Sequence, residues 1–128
     1  MARPLVVDAS ALLAVVLEEP GAAAAERRLP GSAVSAVNLA EVVSRLIQHG
    51  LEPAPLELAI RRLDVEVVSA DAALAFRAAR LHAATRSQGL ALADCFCLAL
   101  AETLGAEVLT ADRAWGRLKV GVPVTVIR

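Results

Sequence analysis

Apolar and polar positions along the chain alternate between short apolar runs and longer segments of helical period. Pro4-Leu5-Val6-Val7 is continuously apolar up to Asp8, the pattern of a strand covered on both faces. Ala9–Leu17 reads as a helix, and Glu18-Glu19-Pro20-Gly21 as a turn into a second helix, Ala22–Leu29, which Pro30-Gly31 breaks. Ala33-Val34-Ser35 is a brief strand. Val37–His49 is a helix ended by Gly50, where glycine fills the left-handed cap position. A helix starting at Pro53 or Pro55 runs to about Leu63, followed by a strand at Val65–Val68. Asp71 caps a long helix reaching about Gln88, where Gly89 stops it, and Leu92–Leu104 is another, closed by Gly105. Glu107–Thr110 is a strand, Asp112–Leu118 a short helix and Val124–Ile127 a final strand.

Strands alternating with helices predict an α/β fold: a three-layer α/β/α domain around a central, mainly parallel sheet. No repeat, low-complexity tract or linker divides the chain, so one domain is expected over residues 1–128. Such folds gather their ligands beyond the carboxyl ends of the strands. That rule says where to look for chemistry.

Composition narrows the class. With 57% hydrophobic residues, the chain has enough apolar side chain to offset the entropy of ordering, which argues against disorder. The longest stretch without a charge is Leu29–Ala40, 12 residues, against the roughly 20 that a membrane-spanning helix needs. Met1-Ala2-Arg3-Pro4 leads into no uninterrupted apolar segment, because Asp8 breaks it, so no signal peptide is expected. The two cysteines, Cys95 and Cys97, stand too close together for a disulfide framework, and a reducing, cytoplasmic setting fits. The net charge of −1 gives no global attraction to nucleic acid, so binding there needs a local basic patch. All but one of the 13 basic residues are arginine, suited to bidentate phosphate contacts, although codon usage in an alanine-rich chain is the better explanation of that bias.

Four acids occupy places that burial alone would not give to an acid. Asp8 ends the first strand, Glu41 lies one turn into a helix, and Asp112 follows the strand Val108–Thr110. Asp94 is the one charged residue within Leu90–Ala101, among leucine, alanine, cysteine and phenylalanine. Each has an ordinary explanation. Asp8 and Asp112 suit helix N-caps, and Glu41 has Arg45 at i+4 for an ion pair. Asp94 has neither arginine nor lysine within four residues.

A shared site accounts for all four together. Carboxylates gathered without a cation repel one another and raise each other's pKa; a hard divalent cation such as Mg²⁺ or Mn²⁺ removes the strain. The chemistry this favours is phosphodiester hydrolysis. Ser10, Asn38 and Thr110 stand beside the acids as candidate supports, or simply as caps and strand-end hydrogen-bonding groups.

Val7-Asp8-Ala9-Ser10, Ser35 to Glu41, Leu92-Ala93-Asp94-Cys95 and Leu109-Thr110-Ala111-Asp112 together resemble the PIN-domain ribonucleases. Within that family the chain is most similar to the VapC toxins of bacterial type II toxin–antitoxin systems. The resemblance covers essentially the whole chain in order. It implies that Asp8, Glu41, Asp94 and Asp112 are metal-binding and catalytic, with Ser10, Asn38 and Thr110 as polar supports. It further implies Mg²⁺- or Mn²⁺-dependent cleavage of RNA, a homodimer, and a cognate antitoxin that covers the groove. The alternative is a degenerate PIN module that binds RNA or protein without cutting.

Lesser candidates surround this set. Arg113 and Arg117, one helical turn apart beside Asp112, and Arg86 ahead of Gly89 are candidate phosphate contacts. Trp115 reads as a core anchor rather than a base-stacking group, and Cys95 and Cys97 as small core residues. His49 and His82 belong to no zinc-ligand cluster. The apolar excess of Ala9–Leu17 and Leu56–Leu63 suggests surfaces for a dimer or an antitoxin. A receiver domain would want an aspartate after the third strand, where Ser69 stands, and a dinucleotide-binding fold would want glycines where Ala9-Ser10-Ala11 stands.

Overall fold

A computed structural model describes residues 4–128. Residues 1–3, part of the segment expected to lack a signal peptide, lie outside them. Five strands, β1 (Leu5–Val7), β2 (Ala33–Ser35), β3 (Glu66–Val68), β4 (Glu107–Thr110) and β5 (Val124–Val126), form one sheet in the order β3-β2-β1-β4-β5. Every pair is parallel, with Val6 opposite both Ala33 and Val108 at the centre. The helices are α1 (Ala9–Val16), α2 (Ala22–Arg28), α3 (Ala36–Gln48), α4 (Pro53–Arg61), α5 (Ala72–Ala84) and α6 (Leu92–Leu104).

Successive strand side chains point to opposite faces, and the two cores follow from that alternation. Leu5, Val7, Val34 and Leu109 face α1 to α4, whereas Val6, Ala33 and Val108 face α5, α6 and the buried Trp115. This is the expected three-layer arrangement, and β1, covered on both sides, is wholly buried.

Three local expectations are corrected. The long helix after Asp71 ends at Ala84, because the Thr85 hydroxyl donates back to the Leu81 carbonyl and the chain tightens into a 3-10 turn, Arg86–Gln88. The segment after Asp112 is likewise a 3-10 turn, Arg113–Arg117, not an α-helix. And α1 offers a partner only part of its apolar surface: Ala9, Ala11, Leu12, Ala14 and Val15 are buried in the core, while Leu13 and Val16 are half-buried. On α4 the expectation holds in part, with Leu56 and Ile60 buried and Leu58 51% exposed.

The turn between α1 and α2 presses on the end of β5. Gly21, at φ +91°, has no room for a side chain, since a Cβ there would lie 2.5 Å from the Ile127 carbonyl oxygen.

Candidate active site

The sheet order sets the geometry of the site. From β1 the chain steps to β2 and β3 on one side, then returns to β4 on the other. Connections therefore leave β1 and β4 in opposite directions, which opens a crevice at their carboxyl ends.

Asp8 sits at this point. Its N–H donates to the Leu109 carbonyl and continues the ladder, while its side chain, 4% exposed, turns inward. Although Asp8 holds the N-cap position of α1, its carboxylate makes no cap bond. It accepts instead from Ser10 Oγ at 2.6 Å and Thr110 Oγ1 at 3.0 Å, both on Oδ2. Each hydroxyl is itself an acceptor: Ser10 Oγ from the Ala111 N–H at 2.9 Å, Thr110 Oγ1 from the Asp112 N–H at 3.1 Å. With both hydroxyl protons directed at Asp8, the 3.1 Å approach of Ser10 Oγ to Thr110 Oγ1 carries none. Burial pushes the Asp8 carboxyl up to about 6; the two hydroxyls oppose that shift and the charge of Asp94 adds to it.

Asp94 is the third residue of α6 and accepts from the Ala91 N–H at 2.9 Å, one half of a capping box. This local role was not anticipated from its apolar surroundings. Burial raises its pKa, and Asp112 raises it further. Asp112 caps the 3-10 turn by accepting from the Ala114 N–H at 3.0 Å, so the capping explanation offered for it holds.

Glu41 is exposed on α3 and, among the described residues, forms no ion pair with Arg45. It accepts from Asn38 Nδ2 at 3.0 Å, and the same nitrogen donates to the Ala93 carbonyl at 3.0 Å. Asn38 is fully buried and ties α3 to the first turn of α6; among the described residues its Oδ1 has no partner. The buried Cys97 thiol feels these charges. Burial raises its pKa most, and the charges of Asp8, Asp94 and Glu41 raise it further. The acids are thus electrostatic neighbours drawn from four separate stretches of chain. Cys95 is also a buried free thiol, as expected.

The other candidates divide. Trp115 is buried, as a core anchor should be, while His49 and His82 are exposed. Arg86, Arg113 and Arg117 are all exposed. On a 3-10 turn, at three residues per turn, Arg113 and Arg117 are not stacked one helical turn apart as expected but stand roughly 120° apart around the axis. The sequence reading missed Arg128. Its Nε donates to the Ala111 carbonyl at 3.2 Å and its guanidinium lies 3.9 Å from Glu19, placing a cation at the lip of the crevice. Only the fold brings it there.

Over residues 5–121 the chain matches the PIN domain family, and it belongs to that family. Its fold is similar to solved structures across nearly its whole length. One is a toxin–antitoxin complex from Klebsiella pneumoniae (TM-score 0.73, 20% identity, 97% of this chain and 98% of that chain). Another is DNA-bound VapBC from Salmonella typhimurium (TM-score 0.68, 16% identity, 99% and 100%). A third is FitAcB from Neisseria gonorrhoeae (TM-score 0.62, 20% identity, 96% and 97%). At these identities the likeness is one of fold. No curated protein matches the chain by sequence.

Proposed function

We propose that this chain is a metal-dependent endoribonuclease that hydrolyses RNA phosphodiester bonds, with Asp8, Glu41, Asp94 and Asp112 as its metal-binding and catalytic acids. The observation that carries the reading is the run of mutually repelling carboxylates, Asp8 to Asp94 to Asp112, at the crevice between β1 and β4. Among the described residues, no basic group figures in the charges acting on them.

The donor set suits Mg²⁺ or Mn²⁺, being all oxygen and rich in charge. Among the described residues, no three acidic, histidine or cysteine side chains converge as they stand. One or two carboxylates completed by waters and phosphate oxygens are the usual way Mg²⁺ is held. The buried, unpartnered Asn38 Oδ1 is a further oxygen beside the acids. The ion, when bound, activates water and neutralises charge on the phosphate. The chain's own residues do the rest. Ser10 and Thr110 direct Asp8 by holding one of its oxygens, leaving Oδ1 for the ligand. Asn38 holds Glu41 against the start of α6, at whose first turn Asp94 stands.

The family and the similar folds further support a toxin of a type II toxin–antitoxin pair, cytoplasmic and homodimeric. Its partners would be RNA and a cognate antitoxin. An apolar groove of about 410 Å³, bordered by Leu39, Val43, Leu56, Ile60 and Val67, is a surface such a protein partner would cover. No helix among the described residues is long and apolar enough to cross a membrane. The test is cleavage of RNA in Mn²⁺ by wild type, Asp8→Asn and Asp94→Asn. Asparagine retains an acceptor oxygen at both positions, so the fold should survive while cleavage is lost. Cleavage persisting in both variants would remove the assignment. RNA binding without cleavage under any metal would favour the degenerate module.

A further inference from the structure

Charge is spread unevenly along the chain. Residues 72–93 carry Arg77, Arg80 and Arg86 and no acid; residues 113–128 carry Arg113, Arg117, Lys119 and Arg128 and no acid. Two of these are engaged, Arg77 with Glu102 and Arg128 with Glu19. The other five are exposed and have no ion-pair partner among the described residues: Arg80 on α5, and Arg86, Arg113, Arg117 and Lys119 on or just after the two 3-10 turns.

The last four come from two segments that one side chain joins. Gln88 Nε2 donates to the Lys119 carbonyl at 3.2 Å, and Gln88 Oε1 accepts from the Lys119 N–H at 2.8 Å. A single amide thus satisfies both hydrogen-bonding groups of one residue 31 positions away, as a strand neighbour would. The two joined segments also lead to the acids. The first turns at Gly89 into α6 and Asp94; the second leaves directly from Asp112. Unpaired cations held together repel one another, and a polyanion relieves that repulsion by taking the place of counterions.

We propose that Arg86, Arg113, Arg117 and Lys119 form a basic ledge that holds the phosphates of single-stranded RNA beside the acidic crevice, with Gln88 as its positioning residue. The choice of RNA as the polyanion rests on the nuclease reading above; the ledge itself rests on charge and on the Gln88–Lys119 bonds. A ledge of this kind binds backbone and carries little sequence preference.

The test is a titration of a fluorescent single-stranded RNA oligonucleotide onto Asp94→Asn protein, used to prevent cutting, at several salt concentrations. In that background R113Q, R117Q and K119Q combined should weaken binding at low salt at least roughly tenfold. They should also make the dependence of log K on log salt shallower by about 2, at roughly 0.7 per single-strand phosphate contact. Q88A, which leaves every charge in place, should lose part of the same slope. A purely structural Gln88 would lower the melting temperature and leave the slope alone, and that result removes Gln88 from the proposal. If the parent protein binds RNA and the triple variant binds it with an unchanged slope, the ledge is overturned while the nuclease reading stands. If the ledge carries RNA but the wild-type acids bind no Mn²⁺, the nuclease reading falls and the ledge stands. A parent protein that binds no RNA at low salt overturns the ledge.

Discussion

The Thr110 hydroxyl donates to Asp8 Oδ2 at 3.0 Å across 102 positions of sequence, joining the end of β4 to the end of β1. Thr110 Oγ1 in turn accepts from the Asp112 N–H, so one hydroxyl serves two of the four acids. Thr110→Val keeps the shape and removes the atom, leaving a buried carboxylate short of a donor and an N–H short of an acceptor. We expect a loss of about 1–3 kcal/mol at neutral pH, together with an Asp8 carboxyl pushed higher still. Urea unfolding and carboxyl titration by NMR check both; an unchanged Asp8 titration would contradict the role given to Thr110.

The Asp8 shift makes the metal-free protein pH-sensitive in a definite direction. Its carboxyl rises from 3.8 unfolded to about 6 folded, so the folded state holds the proton more tightly. The stability this confers is fully present below about pH 4 and is lost as pH rises through 6, a swing of about 3 kcal/mol. Asp8→Asn removes the titration. It should therefore be more stable than wild type at pH 7.5 and not at pH 4, while losing cleavage. Urea unfolding at the two pH values would show this, and a variant less stable than wild type at pH 7.5 would contradict it.

Asn38 gives an ordering test. Asn38→Ala removes the bond between α3 and the Ala93 carbonyl, for about 1–3 kcal/mol. Asn38→Asp removes it too and sets a buried anion against Glu41 and that carbonyl. It should be the less stable of the two at pH 7.5, and the gap should close on acidification. Calorimetric melting of both variants decides the order.

Much of this was legible in the sequence. The strand ends placed Asp8 and Asp112, and the apolar company of Asp94 marked it as unusual. What could not be read depends on contacts between distant segments. A 3-10 turn differs from an α-helix by one hydrogen-bond step, and at Thr85 a side-chain hydroxyl decides it. Arg128 gave no sign, because only its contact with Ala111 brings it to the crevice. Asp94 looked functional for lack of a local partner, yet it has one in the Ala91 N–H. Backbone groups are invisible in a reading that looks for charged neighbours.

Cys95 and Cys97 test the view that these thiols are packing groups. Both are buried, and burial raises the pKa of both, keeping them as poorly reactive thiols. A thiol reagent should modify neither in the native protein and both in urea, and reductant should leave cleavage unchanged. Rapid native labelling of Cys97 would place it outside the core.

Whether the four acids form one metal site is decided by calorimetric titration of Mn²⁺ into wild type and Asp94→Asn at pH 7.5. It needs no knowledge of the RNA sequence preferred. Saturable binding by wild type, lost or much weakened in a variant that melts like it, is the predicted result. No binding by wild type, or equal binding by the two proteins, would contradict the account.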